Sequence, residues 1–178
     1  MRELKIEEAR LLLSKFVKFQ GDSIRVFIKN FFFDSSVFRL QKNRIFFCSF
    51  ILAVRALNFF KKKIGSIGTC IGRFTHSKKF QFLVPSLSLV IKNEKYLFAV
   101  TNSNGEKNFI NGKHLKKDDV LRISKNLFRY DGIVVIGKNK FPIGFGEILK
   151  STKIISTTKK KHLIITNHAD IGKYTRLV

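Results

Sequence analysis

Five lysines in the second half of the chain form its densest basic cluster. Serine and threonine residues stand between them, and their hydroxyls can add contacts to phosphate oxygens. Ammonium groups at this spacing favour binding of a nucleic acid through its phosphates. A solvated loop between two strands is an equally good interpretation of the pattern alone. The lysines are Lys150, Lys153, Lys159, Lys160 and Lys161.

A second basic stretch, near the middle of the chain, contains rings. Arg73, Lys78 and Lys79 surround Phe74 and His76. Rings between basic residues can stack on the unpaired bases of a single strand. Rings in such a pattern more often belong to a hydrophobic core, and we favour the core interpretation here.

Residue sets that would support catalysis or metal binding are missing from the sequence. The glycines of GSIGTCIG at 65–72 match neither a Walker-type phosphate loop nor a dinucleotide-binding turn. The histidines lack metal-ligand spacing, and no nucleophile elbow accompanies His168 and Asp170, so a structural role is favoured for His168. Asp118 and Asp119 precede a strand and are interpreted as turn residues. We therefore expect no catalytic residues, no metal site and no cofactor.

The composition is that of a globular, strongly basic protein. Apolar residues make up 44% and charged residues 26% of the 178 residues, which excludes disorder as the main state. Lysine and arginine number 35 against 12 acidic residues, and the formal net charge is +23. Such a charge attracts polyanions, although drift in codon composition would account for part of the lysine content. A nucleic acid or an anionic membrane is the favoured partner.

Cysteine usage and apolar runs bear on the cellular compartment. Cys48 and Cys70 have neither disulfide nor zinc spacing, which favours a reducing compartment. The acidic N-terminal residues do not form a secretory signal. The apolar segment 45–60 contains Arg55 and Asn58 and is shorter than the ~20 residues that a membrane span requires. We expect no membrane span.

An amphipathic helix is predicted near the N-terminus. Glu7 and Glu8 lie in its first turn, where acidic side chains favour the helix dipole, and Gly21 stands where a helix commonly ends. Its apolar residues recur at helical spacing. They are Ile6, Ala9, Leu13, Phe16 and Val17.

Runs of alternating apolar residues between turn residues predict the remaining elements. A domain boundary is expected near residue 93, and the regularly spaced strands after it suggest a small barrel or sandwich. The first half is predicted to hold a strand over 24–28, a hairpin formed by SVFRL and RIFFCSF, a buried helix over about 50–60 and a strand over 80–84. The second half is predicted to hold the strands YLFAV, VLRIS, GIVVIG, FPIGFGEIL and HLIITN, with one short helix around 106–111.

The order of several motifs resembles that of a known family. Consecutive blocks of the Nip-seven family of large (60S) ribosomal subunit biogenesis factors are similar to GSIGTCIGRFTHSKKFQFLV at 65–84, FINGKHL at 109–115, YDGIVVIGKNKFPIGFGEILKST at 130–152 and NHADIGKYTR at 167–176. The opening helix and the phrase VFRLQKNRIFF resemble the same family, so the similarity spans the whole chain.

The resemblance implies an α+β protein with two domains and no enzymatic activity. Residues 1–93 are expected to form an N-terminal α/β domain with an antiparallel sheet, a candidate for protein interaction. Residues 94–178 are expected to form a PUA-type β pseudo-barrel that binds RNA. The implied function is that of a non-catalytic RNA-binding assembly factor in 60S subunit biogenesis and precursor rRNA processing. The implied location is the nucleus and its nucleolus.

The resemblance also implies partners and RNA contacts. The partners would be precursor ribosomal RNA and other pre-60S assembly factors, with no membrane, and the chain would be a monomer within the particle. The basic cluster becomes the leading RNA-contact candidate. Lys150 and Lys153 rank first, followed by Lys159 and Lys160, with Lys161 beside them.

One segment departs from the family pattern, and two other function classes remain open. The family has a glycine-containing loop where this chain has Lys117, Asp118, Asp119 and Val120, and two carboxylates there would repel phosphate. The chain would alternatively be an RNA-modifying enzyme, although a nucleophile and a cofactor loop are missing. It would otherwise be an accessory protein-interaction module of the pre-ribosome whose basic surface reflects drift.

Overall fold

Two sheets, each with its own helices, make up the protein. The structure is a computed structural model that describes residues 1–21, 25, 29, 35–58, 66–92 and 95–176. Internal contacts divide the chain into one unit of Met1–Asn93 and a second of Glu94–Val178. Within the described ranges, no helix is long and apolar enough to cross a membrane.

The first unit opens with helix α1, Ile6–Gln20, which confirms the predicted helix. The backbone N–H of Lys5 donates to the Glu8 carboxylate at 2.8 Å, and the chain leaves the helix at Gly21, whose φ is 52°. The Arg2 guanidinium donates two hydrogen bonds to the Glu8 carboxylate, and this pairing is the main reason why the pKa of Glu8 is lowered to about 2. A carboxylate held ionised in the first turn stabilises the helix N-terminus.

The buried face of α1 differs from the predicted one. Ile6, Leu13 and Val17 are exposed, at 74%, 39% and 44%. The core contacts follow another stripe of the helix surface, because Phe16 and Phe19 pack edge-on against the same ring on the facing sheet. The buried residues of α1 are Leu12, Phe16, Phe19 and Gln20.

The sheet of the first unit is antiparallel with four strands in chain order. Its first hairpin pairs Gln41 with Arg44, as predicted from the two apolar runs, and the turn residue Lys42 has a positive φ of 54°. The predicted strand over 80–84 is shorter and is followed by a 3-10 turn at Val84–Ser86 and helix α3, Leu87–Ile91. The strands are β1 Ser36–Gln41, β2 Arg44–Ser49, β3 Thr69–Phe74 and β4 Phe80–Phe82.

Two predictions for the first unit are not met. The strand over 24–28 lies mostly outside the described residues, and the two that are described in this region, Arg25 and Lys29, are helical. Helix α2, Phe50–Asn58, forms, but the prediction that it is buried is wrong. Only one face of α2 meets the sheet, so Ala53 is buried while its neighbours are exposed. The exposed apolar residues of α2 are Phe50, Ile51, Leu52 and Val54.

The second unit is built on a six-stranded sheet. Neighbouring strands are antiparallel except β5 and β8, which are parallel, and the order is β6-β10-β9-β8-β5-β7. The two edge strands β6 and β7 are joined by the single 3-10 turn Lys117–Asp119, so the sheet curls towards a barrel. The strands are β5 Phe98–Thr101, β6 Leu115–Lys116, β7 Val120–Ile123, β8 Gly132–Ile136, β9 Pro142–Ile148 and β10 Leu163–Asp170.

The core of the second unit explains its continuous apolar runs. Ile133, Val134 and Val135 of β8 are all fully buried, because both faces of this central strand are covered. Helix α4, Ser103–Ile110, inserts the fully buried Phe109 beside Gly144 of β9. A Cβ at Gly144 would lie 2.2 Å from a carbonyl oxygen of β10, so the close approach requires glycine there.

The five strands predicted for the second unit are confirmed, as is the short helix, which begins three residues before the predicted start. The structure adds the short strand β6 and one further helix, α5, Thr152–Thr157. Helix α5 lies inside the basic cluster, where the sequence suggested at most a loop.

Candidate nucleic-acid interface

The basic cluster lies on both sides of helix α5. Lys150 follows β9 and is half-buried, Lys153 is exposed on α5, and the other three are exposed between α5 and β10. A six-residue helix is about 9 Å long, so the lysines form two groups. We name Lys150 and Lys153 the entry group, and Lys159, Lys160 and Lys161 the exit group.

The entry group is positioned by the start of α5. Ile155 anchors the helix in the core of the second unit. The Leu127 N–H donates to the Thr152 hydroxyl at 2.7 Å, and the Thr152 N–H donates to the Leu127 carbonyl at 3.1 Å. These bonds hold the loop before β8 against the residues between Lys150 and Lys153.

The exit group is positioned by Lys117, which the sequence did not identify as a functional residue. Its ammonium donates to the carbonyls of Ser156 and Thr158, both at 2.8 Å, and so satisfies carbonyls at the C-terminal end of α5. The Asp118 N–H donates to the Lys160 carbonyl at 3.1 Å. The loop of the exit group therefore rests on the turn between β6 and β7.

The two carboxylates of that turn have different surroundings. Asp119 is buried and accepts from the Lys116 N–H at 2.9 Å, so it stabilises the turn rather than facing solvent. Asp118 is exposed, and its backbone is bonded to Lys160 in the exit group. The prediction that both are turn residues is confirmed. An exposed carboxylate therefore lies beside the exit group.

Rings beside the entry group were missed by the sequence reasoning. Phe128 is 73% exposed and Tyr130 is 48% exposed. The Arg129 guanidinium carbon lies 4.6 Å from the centre of the Tyr130 ring. The sequence signal was the triplet of two rings and an arginine immediately before β8, which has no helical or strand periodicity.

The other basic stretch, Arg73 to Lys79, covers the last two residues of β3 and the turn that leads to β4 in the first unit. Phe74 is half-buried and packs edge-on against Phe80, with ring centres 5.6 Å apart. The core interpretation holds in part for Phe74, which packs against the buried Phe80, and is wrong for His76, which is exposed.

The motif NHADIGKYTR forms a hydrogen-bonded network at the end of β10. Asp170 is buried and accepts two hydrogen bonds from Arg176, at 2.9 and 3.0 Å. The Asn167 amide donates to Asp170 and to the Phe109 carbonyl. The His168 Nε2 lies 4.0 Å from the Glu147 carboxylate. In the described part of the chain, no three side chains of His, Cys, Asp or Glu gather as metal ligands.

Comparisons with known proteins cover both units. Residues 1–84 match the family model described as the NIP7/UPF0113 pre-PUA domain, and residues 97–178 match the UPF0113 PUA domain. A relative from Mus musculus, named 60S ribosome subunit biogenesis protein NIP7 homolog, is 32% identical over 177 residues, which cover 99% of this chain and 97% of that protein. The chain belongs to the NIP7 family. The Saccharomyces cerevisiae protein named 60S ribosome subunit biogenesis protein NIP7 is 32% identical over 176 residues, covering 99% and 96%.

Solved structures share the fold of this NIP7-family chain. A PUA domain from Aeropyrum pernix aligns with a TM-score of 0.63 and 11% identity, covering 96% of this chain and 85% of that chain. A PUA domain protein from Thermoplasma acidophilum aligns with a TM-score of 0.54 and 15% identity, covering 94% and 92%. The family resemblance and the predicted α+β fold class with a PUA-type pseudo-barrel are therefore confirmed.

Proposed function

We propose that this NIP7-family chain is a non-catalytic, RNA-binding assembly factor of the large ribosomal subunit that acts in precursor rRNA processing. The observation that carries the proposal is the 32% identity over 99% of the chain to relatives named 60S ribosome subunit biogenesis proteins. The PUA domain match and the net charge of +23 support RNA as a partner. Nucleus and nucleolus are the proposed location.

The RNA surface that we propose is the basic cluster around α5. The entry group, Lys150 and Lys153, is the first contact, because it has no exposed carboxylate bonded to its backbone. The exit group, Lys159 to Lys161, extends the surface past the other end of α5. These ammonium groups hold phosphates, so they position RNA without reading its sequence.

The first unit is proposed to provide protein contacts within the pre-60S particle, with the chain present as a monomer. Helix α2 exposes four apolar side chains, Phe50, Ile51, Leu52 and Val54. Exposed apolar patches of this kind mark protein contacts. Residues 1–93 are thus the proposed docking domain and residues 94–178 the RNA-binding domain.

Depletion of the protein in its own cells tests the proposed function. We expect 60S subunits to fall relative to 40S subunits in a sucrose gradient, and large-subunit precursor RNA to accumulate. Re-expression of the unaltered chain restores both, whereas a K150Q/K153Q chain at equal abundance restores them incompletely. Unchanged subunit ratios and precursor levels after depletion would overturn the proposal.

A further inference from the structure

Two exposed rings lie beside the entry group. Phe128, at 73%, is among the most exposed large apolar side chains of the second unit, and Tyr130 is 48% exposed. A single exposed apolar residue is ordinary on a protein surface. Two rings and an arginine in consecutive positions, next to phosphate-binding candidates, form a combination that suits a partner with both flat apolar faces and negative charge.

Hydrogen bonds hold the ring-bearing loop in one conformation. The Phe128 N–H donates to the Asp131 carboxylate at 2.7 Å, and the Tyr130 N–H donates to the Ile148 carbonyl at 2.7 Å. The Ile148 N–H in turn donates to the Asp131 carbonyl at 2.9 Å. Tyr130 has a φ of 73°, which is rare for a bulky residue and persists only where the surroundings enforce it. The rings are therefore presented to solvent by a fixed backbone.

The same bonds place the rings beside the entry lysines. The Thr152 N–H donates to the Leu127 carbonyl and the Leu127 N–H donates to the Thr152 hydroxyl, and Phe128 and Lys153 are the residues that follow this pair. One N–H···O=C bond of 3.1 Å keeps the Cα atoms of Leu127 and Thr152 within about 7 Å, and adjacent Cα atoms are about 3.8 Å apart, so the Cα atoms of Phe128 and Lys153 lie within about 15 Å of each other. Both fall within the footprint of a short strand of nucleic acid.

We propose that Phe128 and the Arg129–Tyr130 pair stack on unpaired bases of an RNA strand whose phosphates are held by Lys150 and Lys153. This inference rests on the proposed function and names its ligand as single-stranded RNA. Aromatic rings and guanidinium planes stack on bases that are unpaired, whereas paired bases in a helix hide their faces from side chains. The entry group supplies the phosphate contacts that a ring alone lacks.

The charge around the rings favours RNA over a protein surface. Lys125 and Arg129 are exposed in the same loop as the rings, with Lys150 and Lys153 beside it. The acidic side chain of the loop, Asp131, accepts the Phe128 N–H and is engaged in holding the turn. Rings bordered by cations on both sides match the alternation of base and phosphate along a single strand.

Fluorescence anisotropy with the purified full-length protein tests the inference. The probes are a short unstructured RNA, a blunt RNA duplex of the same length, and a strand of the same length in which abasic sites replace the central nucleotides. The F128L variant keeps an apolar side chain but removes the ring, F128W restores a ring, and K150Q/K153Q serves as the phosphate-contact control. Because Phe128 is exposed, both substitutions leave the fold intact, which thermal unfolding verifies.

We expect F128L to bind the unstructured RNA about 5- to 150-fold more weakly, the range for loss of one stacked base. F128W restores the affinity, and the salt dependence of F128L equals that of the unaltered protein. On the duplex and on the abasic strand, F128L and the unaltered protein bind equally. This combination separates stacking from a general loss of structure or charge.

Three results would overturn the inference, and they differ in what they say of the proposed function. Salt-sensitive RNA binding that is the same for F128L and the unaltered protein removes the stacking role but leaves the RNA-binding role standing. Loss of a protein from purified pre-60S particles upon F128L, with RNA affinity unchanged, would assign the rings to a protein contact instead. No RNA binding by the unaltered protein would overturn both the inference and the proposed function.

Discussion

Removing the two entry lysines yields a quantitative prediction about salt dependence. Each phosphate neutralised on a single strand contributes about −0.7 to the slope of log affinity against log salt. If each lysine of the cluster holds one phosphate, the unaltered protein has a slope of about −3.5, and K150Q/K153Q has about −2.1. Between about 50 and 200 mM salt, affinity then falls about 130-fold for the unaltered protein and about 20-fold for the variant.

The assay is anisotropy of a labelled unstructured RNA over a salt series, with a control of equal charge loss. K107Q/K113Q removes two exposed lysines of the same unit that lie outside the basic cluster, one on α4 and one just after it. We expect this control to weaken binding slightly at low salt and to leave the slope near −3.5, as for five phosphate contacts. Equal slopes for K150Q/K153Q and K107Q/K113Q would refute the entry group as a phosphate contact.

Three further predictions concern the contacts that hold the structure. Replacing Lys117 with methionine removes both bonds to the end of α5 and should lower the free energy of unfolding by about 1–2 kcal/mol. K117R should lower the free energy of unfolding by less. Equal losses for the two variants would contradict the capping role. R176M leaves the buried Asp170 carboxylate without its ion-pair partner and should lower the free energy of unfolding by about 2–3 kcal/mol. This loss is below that for a fully buried pair because the arginine side chain is 37% exposed. An R176M/D170N chain no more stable than R176M would argue against the ion pair. Because the pKa of Glu8 is lowered to about 2, its stabilisation is complete above the unfolded value near 4.5 and is lost as pH falls towards 2. The midpoint difference between the unaltered chain and E8Q should therefore be present at pH 6 and vanish near pH 2, and a constant difference would contradict the Arg2 pairing.

Local patterns were enough to predict much of the fold. The hairpin of β1 and β2 and the five long strands of the second unit follow from apolar runs separated by turn residues. Helix α5 was missed because its sequence, TKIIST, is rich in β-branched residues that disfavour helices. It forms nonetheless because Ile155 reaches the core and Lys117 satisfies carbonyls at its C-terminal end.

Tertiary contacts account for the rest. The apolar stripe of α1 was misplaced because Ile6, Leu13 and Val17 satisfy the same periodicity as the residues that the sheet covers. The role of Lys117 depends on bonds to residues 39 and 41 positions away, which spacing in the sequence does not reveal. The basic cluster itself could be predicted from the positions of its lysines in the sequence, but its division into two groups depends on α5.

Ultraviolet crosslinking of the tagged protein in its own cells tests the central claim most directly. The crosslinked RNA is sequenced, and the crosslinked peptides are mapped onto the chain. The account predicts enrichment of large-subunit precursor RNA, with crosslinked peptides from residues 125–165 around α5. Diffuse recovery across all RNA classes, or crosslinks confined to residues 1–93, would contradict it.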